Sequence, residues 1–89
     1  MELIRQELSS RLQNYGINIG RGYSSFMFRP FYGFTFMYRD RNFRIFYHVD
    51  EEVYSLIEIR PLGNGFHATQ ATHVNRSQIG NLCNFIANI

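Results

Sequence analysis

The residues of this sequence that are best suited to covalent or metal chemistry are a single cysteine and three histidines. Cys83 and His73 are close enough in sequence to form a thiol–imidazole pair, which is the arrangement that nucleophilic catalysis by cysteine requires. Cys83, however, falls in the apolar stripe of a predicted C-terminal helix, where a thiol stays protonated and unreactive. We therefore expect no catalytic residue and no enzymatic activity.

A metal site is the second kind of chemistry that these side chains could support. His67, His73 and Cys83 do not follow the ligand spacings of zinc sites. The three acidic residues at 50–52 carry oxygen ligands, but cation sites of that kind collect ligands from several segments. A solvated turn between two strands accounts for these acidic residues. The sequence therefore predicts no metal ion and no cofactor.

Arginine and aromatic side chains are unusually frequent. All nine basic residues are arginine, and nine Phe and six Tyr make up 17% of the chain. A guanidinium binds carboxylate or phosphate through two parallel hydrogen bonds and stacks on aromatic rings. This pattern is typical either of a surface for polar recognition or of pairing between arginines and carboxylates across strands. The formal net charge of +2 is far below that of proteins that bind nucleic acid mainly through phosphates.

Apolar residues at helical spacing predict an N-terminal helix. Ile4, Leu8, Leu12 and Tyr15 fall on one stripe of a 3.6-residue period. Gly16 follows this stripe and suits the left-handed conformation in which many helices end.

Between about residues 23 and 72 the apolar period changes to two, and turn residues interrupt the run at short intervals. Links this short join neighbouring strands, so the pattern predicts an antiparallel meander of four or five strands. The first two segments meet at Pro30, which marks a strand end or a bend within one long strand. The predicted strands are 25–31, 31–39, 43–49, 53–60 and 66–72, with turns at 40–42 and 50–52 and a loop at 61–65.

The last segment predicts a second helix, with Asn75 as its N-cap and Gln78 completing a capping box. Its apolar stripe consists of Ile79, Leu82, Cys83, Ile86 and Ile89. A helix, an antiparallel meander sheet and a second helix make a two-layer α+β fold, in which residues 1–89 form one small domain.

Composition indicates an intracellular globular protein. Hydrophobic residues make up 45% of the chain and charged residues 18%. No apolar stretch approaches the ~20 residues of a membrane span, and the first residues lack a basic region followed by an apolar one. We therefore expect a cytoplasmic protein without a membrane partner.

Strand alternation also predicts which residues face away from the helices. The predicted covered side carries Phe43, Ile45, Tyr47 and Val49, with Val53, Ile57 and Ile59 beside them. The predicted open side carries Arg44, Phe46 and His48, with Tyr54, Leu56, Glu58 and Arg60 from the next strand. Aromatic residues mixed with arginine are typical of interface cores. The alternative is a three-layer domain with one helix on each side of the sheet.

These features predict a non-enzymatic binding module that acts through protein–protein contacts, as a homodimer or with a larger partner. Small single-domain inhibitors and adaptors, including those of viruses and phages, have this size and lack of chemistry. The alternative is binding of RNA, single-stranded nucleic acid or a nucleotide, in which aromatic rings stack on bases and arginines contact phosphates. The predicted binding residues are Arg39, Arg41, Arg44, Phe46, His48, Tyr54 and Arg60.

Overall fold

The computed structural model describes residues 1–26, 28–62 and 65–89, and it describes the side chains of these ranges outside 61–72. Helix α1 spans Glu2–Leu12 and helix α2 spans Ile79–Ala87, with 3₁₀ turns at Gln13–Tyr15 and Arg76–Gln78. The strands are β1 (Tyr23–Ser25), β2 (Phe31–Tyr38), β3 (Arg41–His48), β4 (Val53–Leu62) and β5 (Gly65–Asn75). The predicted α+β fold, with one helix before the sheet and one after it, is confirmed.

Helix α1 forms where the apolar spacing predicted it and buries Ile4, Leu8 and Leu12. Gly16 follows the 3₁₀ turn with φ of 74°, so the helical segment ends in the left-handed conformation as predicted. Tyr15, the fourth residue of the predicted stripe, is exposed, and its hydroxyl donates to Asn84 Oδ1 of α2 at 3.1 Å. This hydrogen bond joins the 3₁₀ turn that follows α1 to helix α2 at the protein surface.

The five strands pair in sequence order, which confirms the predicted meander. A two-residue turn joins β2 to β3, and Arg39 and Asp40 both have positive φ there, at 53° and 60°. Turns of this kind match the right-handed twist of a hairpin, so the turn lies at 39–40 and not at the predicted 40–42. Residues 49–52 join β3 to β4, as predicted for 50–52, and Glu52 has φ of 53°.

The predicted boundaries of β1, β4 and β5 are wrong. Strand β1 ends at Ser25, which lies opposite Phe31, and Pro30 has no N–H to contribute to the ladder. Strand β4 continues to Leu62 and β5 begins at Gly65, so neither end of the predicted loop at 61–65 is correct. The middle of that loop, residues 63–64, lies outside the described residues.

The start of the C-terminal helical segment also differs from the prediction. Asn75 precedes the 3₁₀ turn, but its side chain makes no capping hydrogen bond, so the predicted capping box is absent. The backbone N–H of Arg76 donates instead to the carbonyl oxygen of Glu52 at 2.8 Å. A carbonyl of the β3–β4 turn thus satisfies an N–H group at this helical start.

Both helices pack against the same side of the sheet. Their buried side chains and those of the covered side form one core cluster. It contains Ile4, Leu8, Leu12, Leu82, Cys83 and Ile86 from the helices, and Phe34, Phe36, Phe43, Ile45, Tyr47, Tyr54 and Leu56 from the sheet. The three-layer alternative is therefore wrong, and the described part of the chain has two layers.

The prediction for the two sides of β4 is wrong. Tyr54 lies opposite Tyr47, Leu56 opposite Ile45 and Glu58 opposite Phe43, so these three residues of β4 face the helices. The residues on the open side are Val53, Ser55, Ile57 and Ile59. A register shift of one residue turns a strand over. Because β4 carries apolar residues on both sides, its own pattern does not indicate which side is buried.

The hydroxyl of Tyr54 is fully buried and has no hydrogen-bond partner among the described residues. Burial raises the pKa of Tyr54 far above its ordinary value. A buried polar group without a partner costs about 1–3 kcal/mol. We therefore expect Tyr54→Phe to keep the fold and to raise the free energy of unfolding by about 1 kcal/mol, measured by urea denaturation.

The matched control is Tyr38→Phe, which removes a hydroxyl at a half-buried position on the same side of the sheet. We expect this variant to unfold at the urea concentration of the wild type. If Tyr54→Phe instead lowers the free energy of unfolding, the hydroxyl is hydrogen-bonded in solution.

Candidate binding face

The side of the sheet that faces away from the helices, here called the outer face, is open, and about half of its described residues are apolar. It carries Tyr23, Ser25, Phe31, Gly33, Thr35, Met37, Asn42, Arg44, Phe46, His48, Val53, Ser55, Ile57 and Ile59, and His73 of β5. Met37 is 63% exposed and Tyr23 40% exposed. Antiparallel sheets with helices on one side normally have a polar open side. The apolar composition therefore makes the outer face a candidate interaction surface.

Aromatic rings cross the outer face from the edge strand β1 to the central strand β3. The rings of Tyr23 and Phe31 lie edge to face with their centres 6.3 Å apart. Those of Phe31 and Phe46 lie in the same way, with their centres 5.4 Å apart. Gly33 lies opposite both Tyr23 and Phe46, and a Cβ at Gly33 would lie 2.5 Å from Tyr23 Cζ. The missing side chain thus allows the Tyr23 ring to lie against β2. The result is a packed aromatic row, defined by Tyr23, Phe31 and Phe46.

A chain of hydrogen bonds crosses strands β3 to β5 beside the aromatic row. His48 Nε2 lies 2.9 Å from Ser55 Oγ, which lies 3.1 Å from His73 Nδ1. The hydroxyl has one proton, so it donates to one imidazole and accepts from the other. Both imidazoles line a shallow cleft of about 500 Å³ together with Phe28, Arg29, Phe31 and Glu51. Ser55 itself is buried, and its hydroxyl holds the two imidazoles in place.

The seven predicted binding residues do not form one surface. Arg44, Phe46 and His48 occupy alternate positions of β3 on the outer face, as predicted. Tyr54 and Arg60 were predicted on the same surface, but the register of β4 turns them to the helix-covered side. Only three of the seven residues therefore lie together on the outer face.

The remaining two predicted residues lie at the β2–β3 hairpin. Arg39 is in the turn, where its guanidinium lies 5.1 Å from the centre of the Tyr38 ring. Arg41 lies opposite Tyr38 on the helix-covered side. Neither residue adds to the outer face.

A buried carboxylate engages two of the predicted arginines. Glu58 accepts hydrogen bonds from Arg41 Nε at 2.8 Å and Arg41 Nη2 at 2.6 Å, and from Arg60 Nη2 at 2.9 Å. Arg41 Nη1 also donates to the carbonyl oxygen of Ile89 at 3.3 Å. These hydrogen bonds lower the pKa of Glu58 to about 2. A carboxylate that has lost most of its water requires such partners, so Arg41 and Arg60 serve the fold.

Sequence reasoning missed several residues of the outer face. The alternation predicts Ile57 and Ile59 on the covered side, because the pattern of β4 alone does not contain its register. The first predicted strand begins at Ser25 and omits Tyr23, although an aromatic side chain is a signal for a strand there. The role of Ser55 has no signal in the sequence, since it depends on which residues of β3 and β5 lie beside it.

The thiol–imidazole pair that the sequence allowed is absent. His73 lies on the outer face with Ser55, whereas Cys83 is buried in the core on the other side of the sheet. Burial raises the pKa of Cys83, so the thiol is less acidic than a free cysteine. The sheet therefore separates the two groups.

Comparison of this chain with protein-family models, with curated proteins and with solved structures finds no match. None of the helices that the structure describes is long and apolar enough to cross a membrane. The argument for function therefore rests on the chemistry of the outer face.

The cluster of Glu58 and its two arginines predicts a pH dependence of stability. The pKa of Glu58 is about 2 in the folded protein against an ordinary value of 4.5. A lowered pKa contributes stability that is fully present above pH 4.5 and is lost as the pH falls towards 2. We expect Glu58→Gln to be less stable than the wild type at pH 7, with a difference that shrinks across this acidic window in urea denaturation.

Glu51→Gln is the matched control, because Glu51 pairs with Arg29 at the surface and is half exposed. Exposed ion pairs contribute little to stability, so this variant should have the free energy of unfolding of the wild type at every pH. If the difference in free energy of unfolding between the wild type and Glu58→Gln stays constant down to pH 2, the lowered pKa of Glu58 is contradicted.

Proposed function

We propose that this protein is a non-enzymatic binding module whose outer face docks a protein partner. The observation that supports the proposal is that both helices cover one side of the sheet and leave apolar residues open on the other. The aromatic row crosses this side from β1 to β3, and half-buried Ile57 and Ile59 and exposed Met37 lie on the same side. An apolar patch of this kind is costly in a monomer and is typical of interaction sites.

The charge of the outer face indicates the chemistry of the partner. Arg44 is its only charged side chain among those described, and it lies between Thr35 of β2 and Ile57 of β4. Arg44 is exposed and has no carboxylate partner among the described residues. A partner that presents apolar side chains around one carboxylate would complement this arrangement. We therefore propose a protein partner with an acidic residue at the centre of an apolar patch.

The positions of the arginines favour a protein over a nucleic acid as the partner. Binding of single strands requires a line of cationic groups that follows the phosphates. Arg41 and Arg60 are engaged by Glu58 on the other side of the sheet, and Arg39 lies at a turn. Arg44 alone supplies too few phosphate contacts for an affinity dominated by phosphates.

The test is the double variant Arg44→Ala/Phe46→Ala, which removes the cation and one ring of the aromatic row. Neither side chain belongs to the core cluster, so circular dichroism and thermal melting should show a folded protein. Peptides selected from a displayed random library against the wild type should combine apolar residues with Asp or Glu. Their affinity for the double variant should fall by about tenfold or more, because such side chains contribute ~2 kcal/mol each at an interface centre.

The matched control is Arg5→Ala/Phe85→Ala, which removes one arginine and one exposed phenylalanine from the two helices. It should bind the selected peptides with wild-type affinity. A folded Arg44→Ala/Phe46→Ala variant that also binds them with wild-type affinity would contradict the proposal. So would binding of a single-stranded oligonucleotide in preference to peptides, with an affinity that falls steeply with salt.

A further inference from the structure

We infer that strand β5 pairs with β5 of a second copy of this chain, in antiparallel orientation along the open edge of the sheet. This inference concerns the edge of the sheet and does not depend on the proposed use of the outer face. It rests on the length of the edge, on its lack of charged residues and on the unbroken pairing of residues 65–70 with β4.

The two edges of the sheet differ in length. Strand β1 has three residues, and the chain before it continues along β2, where the Gly20 N–H donates to the Thr35 carbonyl at 2.6 Å. Strand β5 has 11 residues, and in the part of the chain that the structure describes no strand lies beyond it. About half of the N–H and C=O groups of such a strand point away from the sheet. These groups require partners, and an extended strand satisfies them in series.

The residues of β5 lack the features that usually prevent pairing at an edge. Exposed edges are commonly protected by charged side chains, above all lysine, or by proline. Residues 61–75 contain no Asp, Glu, Lys or Arg, and β5 itself contains no proline. The nearest charged residues are Arg60 and Arg76. A long edge of this composition is open to another strand.

A second copy is the partner that this composition favours. Two identical strands related by a two-fold axis are antiparallel, so each strand offers the other the same series of donors and acceptors. In a strand without formal charges, this symmetry brings no like charges together. An arbitrary strand from another protein would have no such guaranteed complementarity.

A β-bulge limits where the two copies can pair. Leu56 lies opposite Thr72 and Ile57 opposite Gln70, so Ala71 is an extra residue of β5. A bulge increases the local twist and interrupts the ladder. The ladder is unbroken over 65–70 on one side of the bulge and over 72–75 on the other. We assign the contact between copies to 65–70, because this is the longer unbroken run.

The symmetry of this pairing determines the shape of the dimer. Antiparallel strands that pair edge to edge are related by a two-fold axis perpendicular to the sheet. Both helix layers then lie on one side of a continuous sheet, and the two outer faces lie together on the other. The dimer would therefore present its partners with an outer face of twice the area.

Amide hydrogen exchange on the native protein tests this arrangement directly. In a monomer, only the amides of β5 that point towards β4 are protected, so protection alternates along 65–70. In the proposed dimer, the outward-pointing amides are protected as well. We expect their exchange to slow by about tenfold or more when the protein is concentrated from monomer to dimer, as sedimentation measures it. A protein that stays monomeric, or a dimer in which protection still alternates, would overturn the inference.

A charge exchange at the edge provides the second test. An antiparallel contact over 65–70 brings residue 67 of one copy opposite residue 68 of the other. His67→Lys/Ala68→Lys places two cations there, and His67→Glu/Ala68→Glu places two anions. Each variant should remain folded and dimerise at least about tenfold more weakly than the wild type, because like charges meet across the two-fold axis. A mixture of the two variants should form heterodimers with restored affinity. Undiminished dimerisation of both variants, or two folded variants that fail to restore each other, would show that the copies do not meet at β5.

The Arg44→Ala/Phe46→Ala variant separates this inference from the proposed function. It alters the outer face and leaves β5 intact, so its exchange pattern and dimer affinity should equal those of the wild type. Loss of dimerisation in this variant would mean that the outer face, and not the edge, joins the copies.

Discussion

The register between β3 and β4 places Tyr54 against Tyr47, and a shift of one residue would exchange the two sides of β4. With this register, Leu56 joins the core beneath the helices, and Ser55 lies on the outer face between two histidines. The same register brings Glu58 to the buried side, where hydrogen bonds from Arg41 and Arg60 make its burial tolerable. Core, surface chemistry and ion pairing thus depend on one alignment.

Four of the nine arginines of this chain pair with carboxylates in the structure. Glu58 holds two of them, Glu7 accepts two hydrogen bonds from Arg76, and Glu51 pairs with Arg29. The planar guanidinium forms two hydrogen bonds to one carboxylate, which an ammonium cannot do in the same geometry. The preference for arginine over lysine therefore fits the covered side of the sheet as well as it fits recognition of a partner.

The sequence predicts those elements whose apolar pattern is one-sided. Both helices and the alternation of β3 follow directly from it, because each has one apolar face. The sides of β4 could not be predicted, since Val53, Ile57 and Ile59 balance Tyr54 and Leu56. Of the outer face, only Arg44, Phe46 and His48 were predicted correctly, because they belong to β3. The remainder depends on alignment between strands, which no local pattern contains.

The order of the strands has a consequence for how the chain folds. Each strand neighbours the next one in sequence, so the sheet can grow by successive hairpins, each of which closes a short loop at small entropic cost. The contacts between the N-terminal and C-terminal helical segments join residues that are far apart in sequence, as those of Arg76 with Glu7 and of Tyr15 with Asn84 show. The hairpins can therefore nucleate folding, while the helix layer closes late. On the ribosome, the sheet would have only α1 to cover it until α2 emerges.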